Sequence, residues 1–184
     1  MVDILTEDLI NKAKSGDQYA FCSLIKEWKY QLTSYVFKMI NYREDVNDVM
    51  QEILIKTWKN LNKFNGDDKF ASWLFTIAHN TCIDYLRSHK NNLIDCIDNF
   101  DDYNECSLPS DILIKKELVE IINKIVENLP EKQKNVFLLR NDAELSFKEI
   151  AEITNEPLNT VLSHMNYALK KIKKELVALY GKEL

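Results

Sequence analysis

An acidic, aperiodic segment at residues 91–111 divides an otherwise helix-compatible chain into two blocks. The segment holds six carboxylates and no Lys or Arg, and it is rich in Asp and Asn. A composition of this kind, without a hydrophobic period, is typical of a flexible connection. On both sides apolar residues recur at three- and four-residue steps, the period of a helix with one buried face. The sequence therefore predicts an all-α protein: two small helical domains, at 1–90 and 112–184, joined by a flexible acidic linker at 91–111.

The composition of the chain agrees with this fold and narrows the class of protein. Only 3 Gly and 3 Pro occur in 184 residues, so helix breakers are scarce. The formal net charge is −5, but outside the linker 24 basic residues face 23 acidic ones. The excess negative charge of the chain therefore lies in the linker, so it does not exclude a nucleic acid as partner of the two blocks. Because no apolar run approaches the roughly 18 residues that span a bilayer, and no signal peptide is recognisable, we expect the protein in the cytoplasm.

Neither the cysteines nor the histidines form a recognisable catalytic or metal-binding pattern. Scattered cysteines without a Cys-x-x-Cys pair favour small buried side chains over a zinc site or disulfides, with a thiol switch as the alternative; they are Cys22, Cys82, Cys96 and Cys106. The histidines at 79, 89 and 164 lie far apart, and no Gly-rich phosphate loop is present. His79 and Cys82 share a helical face, but no further ligand pair completes a metal site. We therefore expect no enzyme activity, no cofactor and no bound metal.

The segment at 146–174 predicts a helix-turn-helix. Ser146-Phe147-Lys148-Glu149 is a capping box, in which the Ser hydroxyl accepts from the Glu149 amide and the Glu carboxylate reaches back to the cap. After a turn at 154–156, Pro157 pre-sets a second helix. Such a helix enters the major groove and offers polar side chains to base edges, here Asn159, Thr160, Ser163, His164 and Tyr167. The lysines at 170, 171, 173 and 174 suit either phosphate contact or the helix dipole, and a simple packing hairpin is the alternative.

The first block contains two further helices with candidate binding surfaces. A helix at about 44–62 buries one apolar side and has polar residues elsewhere, namely Asp48, Gln51, Glu52, Lys56 and Lys59. A solvated helix face is the alternative interpretation of this pattern. A short loop with Asn65-Gly66 turn chemistry follows, and after it an aromatic-rich helix continues to Arg87. Aromatic and basic residues therefore meet on one element.

These motifs together resemble a known family. Residues 17–90 are similar to the second conserved region of sigma-70 family factors and residues 129–176 to the fourth, and the short connection resembles the extracytoplasmic-function group. The matching residues of the first block are Arg43-Glu44-Asp45, Asp48-Val49, Gln51-Glu52, Trp73-Leu74-Phe75, Ile77-Ala78, Asn80, Asp84 and Leu86-Arg87. Those of the second are Leu129-Pro130, Val136-Phe137-Leu138-Leu139-Arg140, Leu145-Ser146-Phe147, Glu149-Ile150-Ala151-Glu152, Pro157, Thr160-Val161, Ser163 and Lys170-Lys171.

The resemblance implies an RNA polymerase sigma factor that directs promoter recognition, promoter melting and transcription initiation. Its implied partners are core RNA polymerase, promoter DNA and an anti-sigma factor. The residues implied to bind the polymerase are Asp48, Gln51, Glu52, Lys56 and Trp58. Those implied to bind the minus-ten element are Asn65, Gly66, Lys69, Phe70, Ser72, Trp73, Asn80, Asp84, Arg87, His89 and Lys90. Those implied to bind the minus-thirty-five element are Arg140, Ser146, Asn159, Thr160, Ser163, His164, Tyr167, Lys170 and Lys171.

Two features of this comparison bear on DNA reading. Phe70 and Trp73 offer rings for base stacking, but aromatics at helical spacing are more often core, so we expect Trp73 to be buried. In the recognition helix, the second helix of the predicted helix-turn-helix, the family usually has basic residues where this chain has Leu162, His164, Tyr167 and Leu169. The upstream element is therefore expected to be A·T-rich, weakly read or unusual. Asn155 and Asn159 replace turn glycines, and because Asn tolerates left-handed backbone angles we expect the turn to form.

An ordinary helix-turn-helix regulator, which binds DNA without polymerase, is the alternative function. It accounts for the second block and predicts a homodimer on a palindromic site. It leaves the face around Asp48 and the aromatic loop before Asn80 unexplained.

Overall fold

The computed structural model describes residues 4–40, 44–65, 69–89 and 110–181. Over these residues the chain forms eight α-helices and a 3-10 turn at Leu61–Lys63, with no strand; the helices are α1 (Ile4–Lys14), α2 (Gln18–Ile40), α3 (Val46–Asn60), α4 (Phe70–His89), α5 (Ser110–Glu127), α6 (Glu131–Asn141), α7 (Phe147–Thr154) and α8 (Leu158–Tyr180). The prediction of an all-α fold is confirmed. Residues 90–109, most of the predicted linker, lie outside the described residues. None of the described helices is both long and apolar enough to cross a membrane.

Helices α1 to α4 form the first bundle. Its largest fully buried side chains include Leu24, Leu32, Tyr35, Ile53 and Phe75. Between α1 and α2, Gly16 adopts φ 97°, and the Asp17 carboxylate accepts hydrogen bonds from the backbone N–H groups of Tyr19 (2.8 Å) and Ala20 (3.1 Å). The cap satisfies donors that the first turn of a helix leaves unpaired. Both α3 and α4 pack on the long helix α2, which holds the predicted polymerase and minus-ten residues in one unit.

Helices α5 to α8 form the second bundle, which contains the helix-turn-helix. Its core includes Leu138, Leu139, Ile150, Val161 and Ala168. The predicted capping box is present: Ser146 Oγ accepts from the Glu149 N–H (3.3 Å), and the Ser146 N–H donates to Glu149 Oε2 (2.8 Å). Asn155 ends α7 in the left-handed region, at φ 52° and ψ 41°. The turn therefore forms with Asn155 in place of Gly, as predicted, whereas Asn159, the second predicted replacement, lies inside α8.

A buried polar contact joins the two bundles, where α2 packs on α6 and α4 packs on α7. The Tyr35 hydroxyl donates to Asn135 Oδ1 (2.8 Å) and lies 3.2 Å from His79 Nδ1. All three residues are buried, and burial raises the pKa of Tyr35 well above its ordinary value. Nearer the edge, Lys38 pairs with Asp142 at 3.0 Å. Because buried polar groups need partners, Tyr35 and Asn135 each depend on the other bundle for a hydrogen bond, whereas His79 contacts Tyr35 within its own bundle.

The two described cysteines differ in exposure. Cys82 is buried in α4, and burial raises the pKa of its thiol to about 12. Cys22 is exposed on α2, so the expectation of buried cysteines is wrong at this position. The inward face of α2 includes Leu24 and Ile25, and the helical period then turns position 22 outward. Cys96 and Cys106 lie outside the described residues.

Candidate polymerase and DNA interfaces

The outer face of α3 is acidic with one exposed aliphatic side chain. Asp48, Gln51 and Glu52 are all exposed, as the sequence predicts for a partner surface. Ile55 is 52% exposed and follows Gln51 and Glu52 at helical spacing, so it lies on the same face. Sequence reasoning missed Ile55 because an isolated apolar residue at that spacing resembles a core position. Ile55 lies on the side of α3 opposite the buried Ile53 and Thr57, and this spacing could have indicated that it is exposed.

Two of the predicted polymerase-binding residues are engaged within the first bundle. Lys56 Nζ forms an ion pair with Glu52 (2.7 Å) and donates to Thr81 Oγ1 on α4 (3.2 Å). The half-buried Trp58 packs its ring edge-on against Phe21, with the ring centroids 4.9 Å apart. Both side chains hold α3 against its neighbours. Asp48, Gln51 and Glu52 remain the accessible members of the predicted set.

The start of α4 carries a cluster of three aromatic rings. The centroids of Phe64, Phe70 and Trp73 lie 5.2 to 5.7 Å from one another. Phe70 is buried, so its ring is part of the core and is not free to stack on a base. Trp73 is half-buried, more accessible than expected. One side of the indole is therefore supported by phenylalanine rings and part of it reaches the surface.

Polar residues continue along the same side of α4. Asn80 is exposed, and among the described residues its amide has no hydrogen-bond partner. Trp73, Asn80 and Arg87 are spaced by seven residues, close to two helical turns, so they line up along one face. Arg87 is exposed beside Asp84, at 4.0 Å. This alignment brings together a ring, an amide and a guanidinium from the predicted minus-ten set.

The remaining minus-ten residues fall into three groups. Asn65 and Lys69 are exposed before α4, and Ser72 is half-buried in its first turn. The His89 ring stacks on Tyr85 at 4.0 Å between centroids and lies within 3.0 Å of the Tyr85 carbonyl oxygen, so it is held against its own helix. Gly66 and Lys90 lie outside the described residues.

Lys69 connects the minus-ten segment to the second bundle. Its Nζ lies 3.3 Å from Glu149 Oε1, in the capping box of α7. Burial raises the pKa of Glu149, but the hydrogen bonds from Ser146 and the ion pair with Lys69 outweigh it, so the pKa lies below its ordinary value. One carboxylate thus serves both the start of the helix-turn-helix and the contact between bundles.

The recognition helix α8 divides the predicted minus-thirty-five residues into accessible and engaged ones. Asn159, Ser163, Tyr167 and Lys170 are exposed, and Thr160 is half-buried. The Ser163 hydroxyl donates to the Asn159 carbonyl oxygen (2.8 Å), one turn back in the same helix. The exposed set forms a continuous strip along α8, which is what contact with base edges requires.

The other predicted residues of this set make contacts within the second bundle. His164 Nε2 lies 3.3 Å from Glu156 Oε2 without hydrogen-bond geometry, so the contact becomes an ion pair only when the ring is protonated. Lys171 Nζ donates to the Asn128 carbonyl oxygen (2.7 Å). Arg140 donates to the Leu145 carbonyl oxygen (2.8 Å) and lies over the Phe147 ring. Ser146 is occupied by the capping box.

Comparisons with known proteins decide the family. Residues 24–92 match the family described as sigma-70 region 2, and residues 120–172 match sigma-70, region 4. The chain is 33% identical to the ECF RNA polymerase sigma-E factor of Escherichia coli (strain K12), over 97% of this chain and 98% of that protein. The chain belongs to the sigma-70 family. Within it the chain is a sigma factor of the extracytoplasmic-function (ECF) group, as the sequence motifs indicated.

Further relatives and solved structures agree with this assignment. The ECF RNA polymerase sigma-E factor of Haemophilus influenzae (strain ATCC 51907 / DSM 11121 / KW20 / Rd) is 29% identical over 97% of this sigma factor and 100% of its own length. The fold is similar to CnrH solved with the cytosolic domain of CnrY (TM-score 0.70, 22% identity, 95% of this chain and 98% of that one). It is also similar to the sigma factor RpoE solved with the anti-sigma factor NepR from Bartonella quintana (TM-score 0.72, 18% identity, 85% and 96%).

The assignment fixes which structural elements correspond to which region. The region 2 match contains α3 and α4, with the acidic face and the Trp73–Asn80–Arg87 line. The region 4 match contains α6, α7 and the first part of α8. The function is that of an ECF RNA polymerase sigma factor, and the ordinary helix-turn-helix regulator is not favoured.

Proposed function

We propose that this sigma factor brings core RNA polymerase to promoters by dividing three tasks between its domains. Domain 1–90 docks on the polymerase and reads the minus-ten element, the linker 91–111 spans the two, and domain 112–184 reads the minus-thirty-five element. The protein has no catalysis of its own, acts in the cytoplasm and is held inactive by an anti-sigma factor. The full-length likeness to ECF sigma-E factors carries this proposal.

Polymerase docking uses the exposed face of α3. Asp48 and Glu52 supply negative charge for a basic partner, and charges at the rim of an interface set association rate and specificity. Ile55 supplies the apolar contact that the centre of an interface needs. Lys56 contributes indirectly, because its contacts with Glu52 and Thr81 fix the orientation of the α3 face relative to α4.

Minus-ten reading uses the line of residues along α4. A base held outside the duplex costs a few kcal/mol of lost stacking, which contacts to its ring and edge must offset. The half-buried Trp73 offers a stacking surface, and the exposed Asn80 amide offers one donor group and one acceptor. Lys69, just before α4, and Arg87, near its C-terminal end, contact phosphates of the DNA backbone. Phe70 supports the Trp73 ring from the core.

The decisive experiment is in vitro transcription with purified core RNA polymerase on genomic fragments, with start sites mapped. We expect defined starts that depend on this protein, whereas the free protein binds duplex DNA weakly because its charge offers little counterion release. An Asn80→Ala variant should bind the polymerase normally and lose about tenfold in open complex, since one good amide contact to a base is worth about 1 to 3 kcal/mol.

The matched control is Asn11→Ala, the same change at an exposed position of α1. Failure of core polymerase to bind the wild-type protein would overturn the proposed function. Equal promoter melting by Asn80→Ala and Asn11→Ala would reject the minus-ten role of α4 alone.

A further inference from the structure

The first half of α8 presents an unusually uncharged surface for a helix that reads DNA. Residues 158–169 contain no Lys or Arg. The only ionisable side chains in this segment are His164 and Tyr167, and His164 lies against Glu156 within the bundle. The exposed side chains of this segment are aliphatic, aromatic, amide or hydroxyl in character. This surface therefore lacks the groups that recognise guanine, because Arg and Lys make the usual contacts with guanine O6 and N7.

Two leucines stand out at the start of this surface. Leu158 is 38% exposed and Leu162 is 41% exposed, one turn apart on the same side of α8. The core-facing side of the helix is formed instead by Val161, Ala168 and Ile172. The two leucines are not among the residues that form the core of the bundle. They occupy the N-terminal part of the second helix of a helix-turn-helix, the part that meets base edges.

Amide groups accompany the leucines. Asn159 and Asn166 are exposed next to them, and an Asn side chain matches adenine N6 and N7. Ser163 donates its hydroxyl proton to the Asn159 carbonyl oxygen, so it has no donor to offer a base in that geometry. Thymine carries the only methyl group in the major groove, and aliphatic side chains recognise it by apolar contact. Leucine and asparagine together suit the two halves of an A·T pair.

The positive charge of the segment that follows these residues indicates the class of partner. Four of the five residues at 170–174 are Lys, and Lys170, Lys173 and Lys174 are exposed. An uncharged first half of α8 followed directly by a cationic segment fits a polyanion whose phosphates flank a groove lined by base edges and methyl groups. A protein partner would place its own apolar residues against the leucines, and nothing in the lysine cluster would then be required.

We propose that Leu158 and Leu162 read thymine methyl groups and that Asn159 reads adenine, so that the upstream element of this sigma factor is A·T-rich. This inference rests on the proposed role of α8 at the minus-thirty-five element. Specificity at that element then comes from methyl and amide contacts, and the lysines position the protein along the DNA backbone.

The test uses the full-length protein bound to core polymerase. A promoter from the mapped start sites is randomised at its upstream element, and the fragments that the holoenzyme retains are sequenced at one fixed salt concentration. We expect A·T pairs to be enriched. In the selected fragment each thymine of the element is then replaced by deoxyuridine, which removes only the methyl group. Each contacted methyl should contribute about fourfold in Kd, from about 0.8 kcal/mol for a buried carbon of that size.

A Leu162→Ala variant links the effect to the side chain. Its holoenzyme should bind the thymine fragment about as weakly as the wild type binds the deoxyuridine fragment, and it should show little further loss with deoxyuridine. Leu169→Ala is the matched control: this leucine is 49% exposed and lies about 10 Å further along the axis at 1.5 Å per residue, beside the lysines. It should keep the full deoxyuridine effect.

Three results would overturn the inference. The selection could enrich G·C pairs, or deoxyuridine could leave wild-type binding unchanged. Weaker binding of Leu162→Ala to core polymerase, with unchanged sensitivity to deoxyuridine, would assign the leucines to a protein interface. These results all require a functional holoenzyme, so they are distinct from failure of the proposed function, in which no promoter complex forms at all.

Discussion

Removing one hydroxyl group at the contact between the bundles should measurably destabilise the whole protein. The Tyr35 hydroxyl is buried, donates to Asn135 Oδ1 at 2.8 Å and lies 3.2 Å from His79 Nδ1. A Tyr35→Phe change keeps the ring and its edge-on contact with Phe75, so the hydroxyl alone is lost. Because a buried amide is then left without its donor, we expect the free energy of unfolding to fall by about 1 to 3 kcal/mol.

Urea denaturation followed by circular dichroism measures this loss. Tyr30→Phe is the control, since Tyr30 lies on the same helix but is 83% exposed, and we expect it to change stability by less than about 0.5 kcal/mol. A double-mutant cycle with Asn135→Ala then tests the pair itself, because residues in contact give non-additive losses. Equal stability of the two Phe variants, or strict additivity with Asn135→Ala, would refute the buried contact between the bundles.

Three further predictions concern other parts of the molecule. Asn155→Gly should leave stability unchanged or raise it, whereas Asn155→Ala should lower the free energy of unfolding by about 1 kcal/mol, because the residue sits at φ 52°; equal urea midpoints would contradict the left-handed turn. Burial lowers the pKa of His79 below its ordinary value of 6.5, so the unfolded chain takes up this proton first and stability should fall as the pH drops below 6.5. His79→Gln should reduce that slope in a pH series of urea titrations, and an unchanged slope would show that another group is responsible. Iodoacetamide should alkylate the exposed Cys22 in the native protein and spare Cys82, whose pKa of about 12 keeps it a thiol, as peptide mass spectrometry would reveal; rapid native labelling of Cys82 would contradict its burial.

Features with a local signal were predictable from the sequence. Helical period, the Ser146 to Glu149 spacing and the tolerance of Asn155 for left-handed angles are properties of a few neighbouring residues, and the structure agrees with them. The accessible part of each predicted site follows similarly, because Asp48 and Asn159 fall on the outward side of an amphipathic helix.

Long-range contacts lacked such a signal. Tyr35 and Asn135 are 100 residues apart, and in the sequence Tyr35 is only one member of an apolar stripe. The engaged members of the predicted sites were equally hidden, since the contact of Lys171 with Asn128 spans 43 residues. In the sequence, a polar residue on a helix gives the same pattern whether its side chain contacts solvent, DNA or a distant carbonyl group. Only the packing of the helices distinguishes these cases.

The position of Lys69 has a consequence for how a promoter is engaged. Its ammonium group rests on Glu149, the carboxylate that also begins α7. If a promoter phosphate binds this cation, it competes with the carboxylate, so the proposed DNA contact of Lys69 would weaken one polar contact between the bundles while the Tyr35–Asn135 and Lys38–Asp142 contacts remain. Added salt screens the old pairing and the new one alike, and the balance between them then depends on which anion is held in the better geometry.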